Sequence, residues 1–350
     1  MDDPRLRQLL ESDPALLLSL EQEAVKLASE AGALLLDSFH KQLTVEYKAD
    51  GHRDPVTEVD RNAEALITAG IRRRFPEHGI LAEEMPQALG LDRDFLWVVD
   101  PLDGTTNFIN RYPLVGVSIG VLYRANPVAG AVFVTLPMAS GGRVLHARLG
   151  GGAFADDSPI QVYPAKDPSK EGLAALPTGF FRHFRAAKDL RRKIGDTRVT
   201  GSIVCDMALV ASGMLQFAAF TRPKLWDVAA GVLIVREAGG ETLVRTTSRQ
   251  WEPLRSFLKP GSGLPKDGDL SKWGATLLVG NAALVEMVAK NLRARSGLWR
   301  WFRRMRGRWA RRVGARSKAR ERPAEAPGME KPDAPAGSPP GGEKPVPHRS

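Results

Sequence analysis

The chain has one cysteine, Cys205, in 350 residues. That excludes an intrachain disulfide and a thiolate cluster around a metal, and it fits a reducing, cytoplasmic setting. No run approaches the roughly 20 apolar residues that a membrane-spanning helix needs. The first fourteen residues carry Asp2, Asp3, Glu11 and Asp13, whereas a secretory peptide has a basic start and an apolar core, so none is expected. Evenly spread positive charge is also missing, although the formal net charge is +10. Residues 293–322 hold thirteen lysines and arginines and a single acid, Glu321, so the rest of the chain is close to neutral. This argues against a nucleic-acid groove spread over the fold.

A composition of 43% hydrophobic and 26% charged residues suits a globular domain with a sizeable core. Helical periodicity over 16–39 sets Leu20, Ala24, Leu27, Ala28, Ala31, Leu34 and Leu35 on one face, and a second helix is expected from Val59 to near Pro76. Residues 44–48 alternate like a strand, and 50–55 form a polar loop. The apolar runs 80–82 and 95–99 suit buried strands. Segments 115–123, 129–135 and 142–147 read as successive antiparallel strands, closed by a glycine-rich hairpin at 150–159. Beyond Pro164, helix-like stretches (179–193, 202–216, 227–238) alternate with short strands (197–199, 217–220, 241–244). Such an order predicts an α/β protein of layered sheets with helices between and outside them. We expect a domain over 1–295, a basic amphipathic segment over 296–322 and a disordered Pro/Gly-rich tail over 323–350.

Residues 97–108 read Trp-Val-Val-Asp-Pro-Leu-Asp-Gly-Thr-Thr-Asn-Phe. Asp100 and Asp103 stand three apart where an apolar strand ends, and Pro101 with Gly104 predicts a turn there. Carboxylate oxygens suit a hard cation, and backbone N–H groups at a helix start suit a phosphate. Three further acidic clusters each have a plain structural explanation. Asp54-Pro-Val-Thr57-Glu-Val-Asp60 matches a helix capping box, Glu83-Glu84 a solvated loop, and Trp226-Asp227 an acid at a helix start.

Together, Asp54 to Asp60, Leu81-Ala-Glu83-Glu84, Trp97 to Asn107 and Trp226-Asp-Val-Ala-Ala-Gly231 resemble, in order and spacing, the inositol monophosphatase family of lithium-sensitive, Mg²⁺-dependent phosphatases. The likeness covers roughly residues 15–293, with Gly150 to Pro159 similar to the family hairpin and Val199-Thr-Gly201-Ser202 similar to a segment lining the substrate pocket. It implies an αβαβα sandwich, a homodimer, two to three Mg²⁺ ions per site and a small phosphorylated metabolite as substrate. By the same resemblance, Glu83, Asp100 and the Leu102 carbonyl hold one ion. Asp100, Asp103 and Asp227 hold a second, and a third, weaker ion uses Glu83 with Asp60 through water. Thr105 and Glu83 hold the attacking water, and Asp60 orients Thr105. The phosphate rests on the metals and on the N–H groups of Gly104, Thr105 and Thr106, with Gly201 and Ser202 beside it. Oxygen ligands of this kind select Mg²⁺ or Mn²⁺ over Zn²⁺, and no histidine falls in the four motifs. A different class of function, a module that binds a phosphorylated ligand without turnover, remains as the alternative.

Two features stand apart from the family pattern. Inositol-specific members carry a glutamate seven residues before the Asp of the Trp-Asp pair, and here that residue is Phe220. Thr221, Arg222 or Lys224 could then reach the substrate instead. Inositol 1-phosphate is the default substrate, with histidinol phosphate, a fructose bisphosphate or a 3′-phosphoadenosine nucleotide as alternatives. Second, residues 298–313 place Leu298, Trp301, Phe302, Met305, Trp309 and Val313 within about 120° of a helical wheel, with arginines elsewhere. That pattern describes a helix for an anionic membrane surface, for docking on the domain itself, or for another acidic or nucleic-acid partner. Loss of the glutamate predicts weak preference for a polyol. A panel of phosphomonoesters should therefore show inositol 1-phosphate hydrolysed within a small factor of the others, and a strong preference for it would contradict this expectation.

Overall fold

The computed structural model describes residues 4–47, 55–85, 88–135, 141–258 and 270–295. These belong to one compact unit, Met1–Arg295. The expected basic segment and tail, 296–350, lie outside the described residues, as does most of the polar loop at 50–55.

Two long helices form the first layer. Pro14–Ser38 starts at Asp13, whose carboxylate accepts the Leu16 N–H at 2.9 Å. Glu58–Arg74 starts at Thr57, where the expected capping box with Asp60 is formed. A short helix that was not expected, Pro4–Ser12, precedes them and buries Leu6.

A seven-stranded sheet lies beneath, its strands following chain order: Gly79–Ala82, Phe95–Asp103, Gly116–Tyr123, Asn126–Val134, Arg143–Arg148, Ala153–Ala155 and Ser158–Pro159. The first pair is parallel and every later pair antiparallel, as expected for 115–147. Alternation along Phe95–Asp103 sends Trp97 and Val99 into a core shared with Leu20, Leu27 and Ile67 of the helices, and Val98 into a second core behind the sheet.

The second core is filled from the middle layer by Ile203–Ala211 and Leu225–Glu237. A six-stranded sheet closes it, in the order Asp196–Arg198, Leu173–Ala175, Phe217–Thr221, Thr276–Asn281, Gly240–Arg245, Trp251–Pro253. Strand Phe217–Thr221 turns Ala218 and Phe220 to the middle layer and Phe217 and Ala219 to an outer one, which includes Leu284 and Val285 of helix Ala282–Asn291. The result is the expected five-layer αβαβα sandwich.

Two expectations are corrected. The chain does not turn after Val99: the strand runs on to Asp103, with an irregular register between Asp100 and Asp103. Pro101 cannot donate to a ladder and is tolerated where the pairing is broken in this way. The single helix expected over 179–193 is instead Phe180–His183, a strand Phe184–Ala186 and a helix Lys188–Lys193. Buried Phe184 and Ala186 flank exposed Arg185 with period two, and the partner strand Leu292–Ala294 is too distant in sequence to be visible locally.

Close approach of Leu225–Glu237 to the seven-stranded sheet depends on Gly120. A Cβ there would sit 2.8 Å from Ala229 Cβ and 2.9 Å from Ala230 N. Gly120→Ala should therefore destabilise the protein by about 1–3 kcal/mol through overpacking, read as a lower denaturant midpoint. An unchanged midpoint would show that the helix can move away freely.

Candidate active site

Four segments converge at the end of strand Phe95–Asp103. Asp100 lies on the strand with 1% of its surface exposed, and its Oδ1 accepts the Leu102 N–H at 3.0 Å. Opposite it in the ladder is Ser118, wholly buried, whose hydroxyl donates to the Trp226 carbonyl at 2.9 Å. That bond ties the turn carrying Asp227 to the strand beside Asp100. Asp227 is held in turn by the Lys224 N–H, donated to its Oδ2 at 2.7 Å.

Gly104 has φ +88°, a left-handed conformation that a glycine takes without strain, and it starts the short helix Thr105–Ile109. The helix begins where the sequence places it, after Gly104. At five residues its contribution is a set of free N–H groups at its first turn rather than a large dipole. The Thr105 hydroxyl lies 3.2 Å from Asp60 Oδ1 and 3.1 Å from the Leu102 carbonyl, so it can donate to either. Asp60 is fixed from behind, its Oδ2 accepting the Thr57 N–H at 2.8 Å and the Thr57 hydroxyl at 2.5 Å. The capping box therefore forms and also serves the site.

Asp103 faces the middle layer. Its Oδ2 accepts the Ser202 hydroxyl and, at 2.8 Å, the Val204 N–H. Ser202 is also the N-cap of Ile203–Ala211, accepting the Cys205 N–H at 3.0 Å. Asn107 donates to the carbonyls of Leu114 (2.8 Å) and Thr200 (2.9 Å), which holds Gly201 and Ser202 beside the short helix. Thr106 is exposed at the same helix start.

The electrostatics follow from crowding acids where water is scarce. Burial, then the charges of Glu83, Asp103 and Asp227, push the Asp100 carboxyl well above its ordinary range. Burial, then Asp103, raises Asp227 to about 8, against the pull of the Lys224 N–H. Asp103 rises to about 6 by burial, held back by the Ser202 hydroxyl and the N–H groups of Val204 and Ile203. Burial also raises Asp60, opposed by its bonds from Thr57 and Thr105.

Among the described residues, Asp100, Asp103 and Asp227 make no ion pair with a lysine, arginine or histidine. An all-oxygen set of mutually repelling carboxylates, only Asp227 of them eased by the charge of Lys224, fits a hard divalent cation. Among the described residues no three acidic, histidine or cysteine side chains already meet closely enough to hold an ion alone, and Asp103 gives one oxygen to Ser202 and Val204 instead.

Several residues support the site in ways the sequence motifs do not assign. Glu64, four residues beyond Asp60 on the same helix face, accepts the Glu84 N–H at 2.8 Å and so fixes the loop bearing Glu83. Ser118 and Asn107 bridge distant segments. Asp206, raised to about 7 by burial and next by Asp103, accepts the Thr200 hydroxyl at 2.9 Å beneath Ser202. Glu64 could have been found from its i, i+4 spacing to Asp60; the others act across contacts that only folding creates. Phe220 is 4% exposed and packs in the middle core, while Thr221, Arg222 and Lys224 are exposed after it.

The chain is 40% identical over 232 residues to "Phosphatase IMPL1, chloroplastic" of Arabidopsis thaliana, a match covering 62% of this chain and 60% of that protein. It is 38% identical over 227 residues to "Nus factor SuhB" of Escherichia coli K12, covering 62% of this chain and 82% of that one. Among solved structures, the inositol monophosphatase of Anabaena superposes with a TM-score of 0.59 at 27% identity, covering 79% of this chain and 95% of that one. The model of the inositol monophosphatase family matches residues 17–272. With that match over most of its length and the five-layer fold, the chain belongs to the inositol monophosphatase family of phosphoric monoester hydrolases.

Proposed function

We propose that the protein hydrolyses a small phosphate monoester in a Mg²⁺-dependent reaction, with inositol 1-phosphate as the default substrate. The observation that carries this reading is the buried Asp100 flanked by Glu83, Asp103 and Asp227 beside the Thr105–Asp60 pair. Glu83, Asp100 and the Leu102 carbonyl would hold one ion, and Asp100, Asp103 and Asp227 a second, with Glu83 and a water on Asp60 left for a third. Bound there, Mg²⁺ neutralises the phosphoryl group and makes water a better nucleophile.

The chain's own groups do the rest. Thr105, with its proton directed to Asp60 or Leu102, presents a lone pair to the attacking water, and Glu83 presents a second acceptor. Asp60 holds Thr105 in that orientation because two bonds from Thr57 lock its other oxygen. N–H groups of Gly104, Thr105 and Thr106 at the helix start would receive phosphate oxygens. Ser202 and Gly201 border the same space, and Thr221, Arg222 and Lys224 are the exposed groups nearest in sequence to Asp227 for the alcohol. The phosphatase and inositol monophosphatase names of the plant and Anabaena relatives support this reading for the reaction class. A homodimer and a catalytic domain ending near residue 295 belong to the same proposal.

Two outcomes test it. Hydrolysis of a generic phosphomonoester should require Mg²⁺, and Asp100→Asn or Asp227→Asn should lower kcat by at least about 10³, the scale at which lost transition-state charge stabilisation is read. Full activity in either folded variant would remove these residues as metal ligands. Tight binding of phosphate without turnover would favour the non-catalytic module instead.

The second outcome concerns pH. Asp103, Asp206 and Asp227 have folded values near 6, 7 and 8, above those of an unfolded aspartate. Their neutral forms stabilise the fold at low pH, and that stability is lost as pH rises through these values. In chelator, Tm should therefore fall between about pH 5 and 8, and the rise in Tm on adding Mg²⁺ should grow over the same interval. A Mg²⁺ effect independent of pH would contradict the assignment.

A further inference from the structure

On the outer layer, the broken segment 180–193 builds a second cationic feature that the proposed reaction does not use. Strand Phe184–Ala186 pairs antiparallel with Leu292–Ala294, and the register sets Arg185 directly opposite Arg293, both exposed. Like charges directly opposite each other in a ladder destabilise it. The helix Lys188–Lys193 follows at once, and a cleft of about 410 Å³ opens between it and the strand, lined by Arg185, Ala186, Lys188, Arg191 and Arg192. Among the described residues none of these four cations, nor Arg293, forms an ion pair, even though Asp189 lies on the same short helix.

The walls are firmly seated. Phe184 is buried, stacks on Phe180 at 4.8 Å and carries the Arg245 guanidinium over its ring at 5.3 Å. Ala187 N–H donates to the Asn291 carbonyl at 2.9 Å, joining the turn to the end of the last described helix. Leu190 and Ile194 anchor the short helix in the outer core with Leu284 and Val285. That core lies on the opposite face of the six-stranded sheet from the one that supports Asp227, as Phe217 and Phe220 of one strand show by facing opposite ways. The cleft is therefore separate from the candidate active site.

From these observations the structure assigns a second anion site: the cleft between Arg185 and Arg191/Arg192 binds a compact, multiply phosphorylated anion. Guanidinium groups bind phosphate oxygens in bidentate fashion, and three arginines and a lysine around one concavity match several phosphate charges at close spacing. The cleft has the volume of a small-molecule site rather than of a long track. The lining contains no aromatic ring on which a nucleobase could stack, which disfavours single-stranded nucleic acid. Ala186 is its one apolar residue, so nothing in it would insert into a bilayer. The anion can be free in solution or be the phosphorylated headgroup of a lipid.

The test uses full-length protein without divalent metal, with inorganic tripolyphosphate titrated by calorimetry and inorganic phosphate as the low-charge reference. Tripolyphosphate should bind more tightly than phosphate, and the exposed double variant Arg185→Gln/Arg191→Gln should weaken it by about tenfold or more. The control Arg72→Gln/Arg73→Gln, which removes the same charge from the first helical layer, should leave it within about twofold. Circular dichroism and Tm confirm that each variant folds. In a parallel arm, phosphatidylcholine vesicles with and without a phosphatidylinositol bisphosphate report the lipid source. Vesicle binding that needs the bisphosphate and falls in the Arg185/Arg191 variant, without tripolyphosphate binding, supports the same cleft with a headgroup as its anion. Binding of neither probe, or an equal loss in the control and the cleft variant, overturns the proposal.

Discussion

Mutual repulsion among buried carboxylates is the constraint around which this protein is organised. Asp100 is removed from water and faces the charges of Glu83, Asp103 and Asp227. Each additional negative charge in that space costs more than it would at the surface, because the surroundings screen it poorly. No single helix or strand supplies these groups. They arrive from the loop after one strand, from the next strand and its irregular end, and from the start of a middle-layer helix, so the layered fold itself must hold them against their repulsion. Seen this way, the Ser118 bond to Trp226, the Gly120 contact under Leu225–Glu237 and the Glu64 bond to Glu84 have one purpose: they fix the distances between like charges.

The same arrangement couples stability to chemistry. Hydrogen bonds from Ser202, Val204 and Lys224 neutralise part of the charge on Asp103 and Asp227, whereas among the described residues Asp100 accepts only the Leu102 N–H. In the proposed reaction a hard divalent cation would supply the missing positive charge and place it beside the phosphate ester.

Much of this was legible in the chain. Polar side chains that share a short run, such as Asp100 with Asp103, or Thr57 with Asp60, show their relationship by spacing alone, and the long helices and middle strands follow from period. Two kinds of feature were not legible. Phe184–Ala186 is a strand because Leu292–Ala294 pairs with it, and no local pattern reveals a distant partner. Asn107, Ser118 and Asp206 are ordinary polar residues until folding sets them against Thr200, Trp226 and Thr200 respectively. Phe220 shows the converse: its sequence position suggested a place at the substrate, but its side chain belongs to the core.

The most direct test is anomalous scattering from crystals soaked in Mn²⁺, which takes the same oxygen ligands as Mg²⁺. The account predicts at least two peaks about 3.5–4 Å apart, one shared by Glu83 and Asp100 and one by Asp100, Asp103 and Asp227, with the Asp103 side chain reoriented or bridging. Occupied Mn²⁺ sites elsewhere on the protein, with none among these four carboxylates, would contradict it.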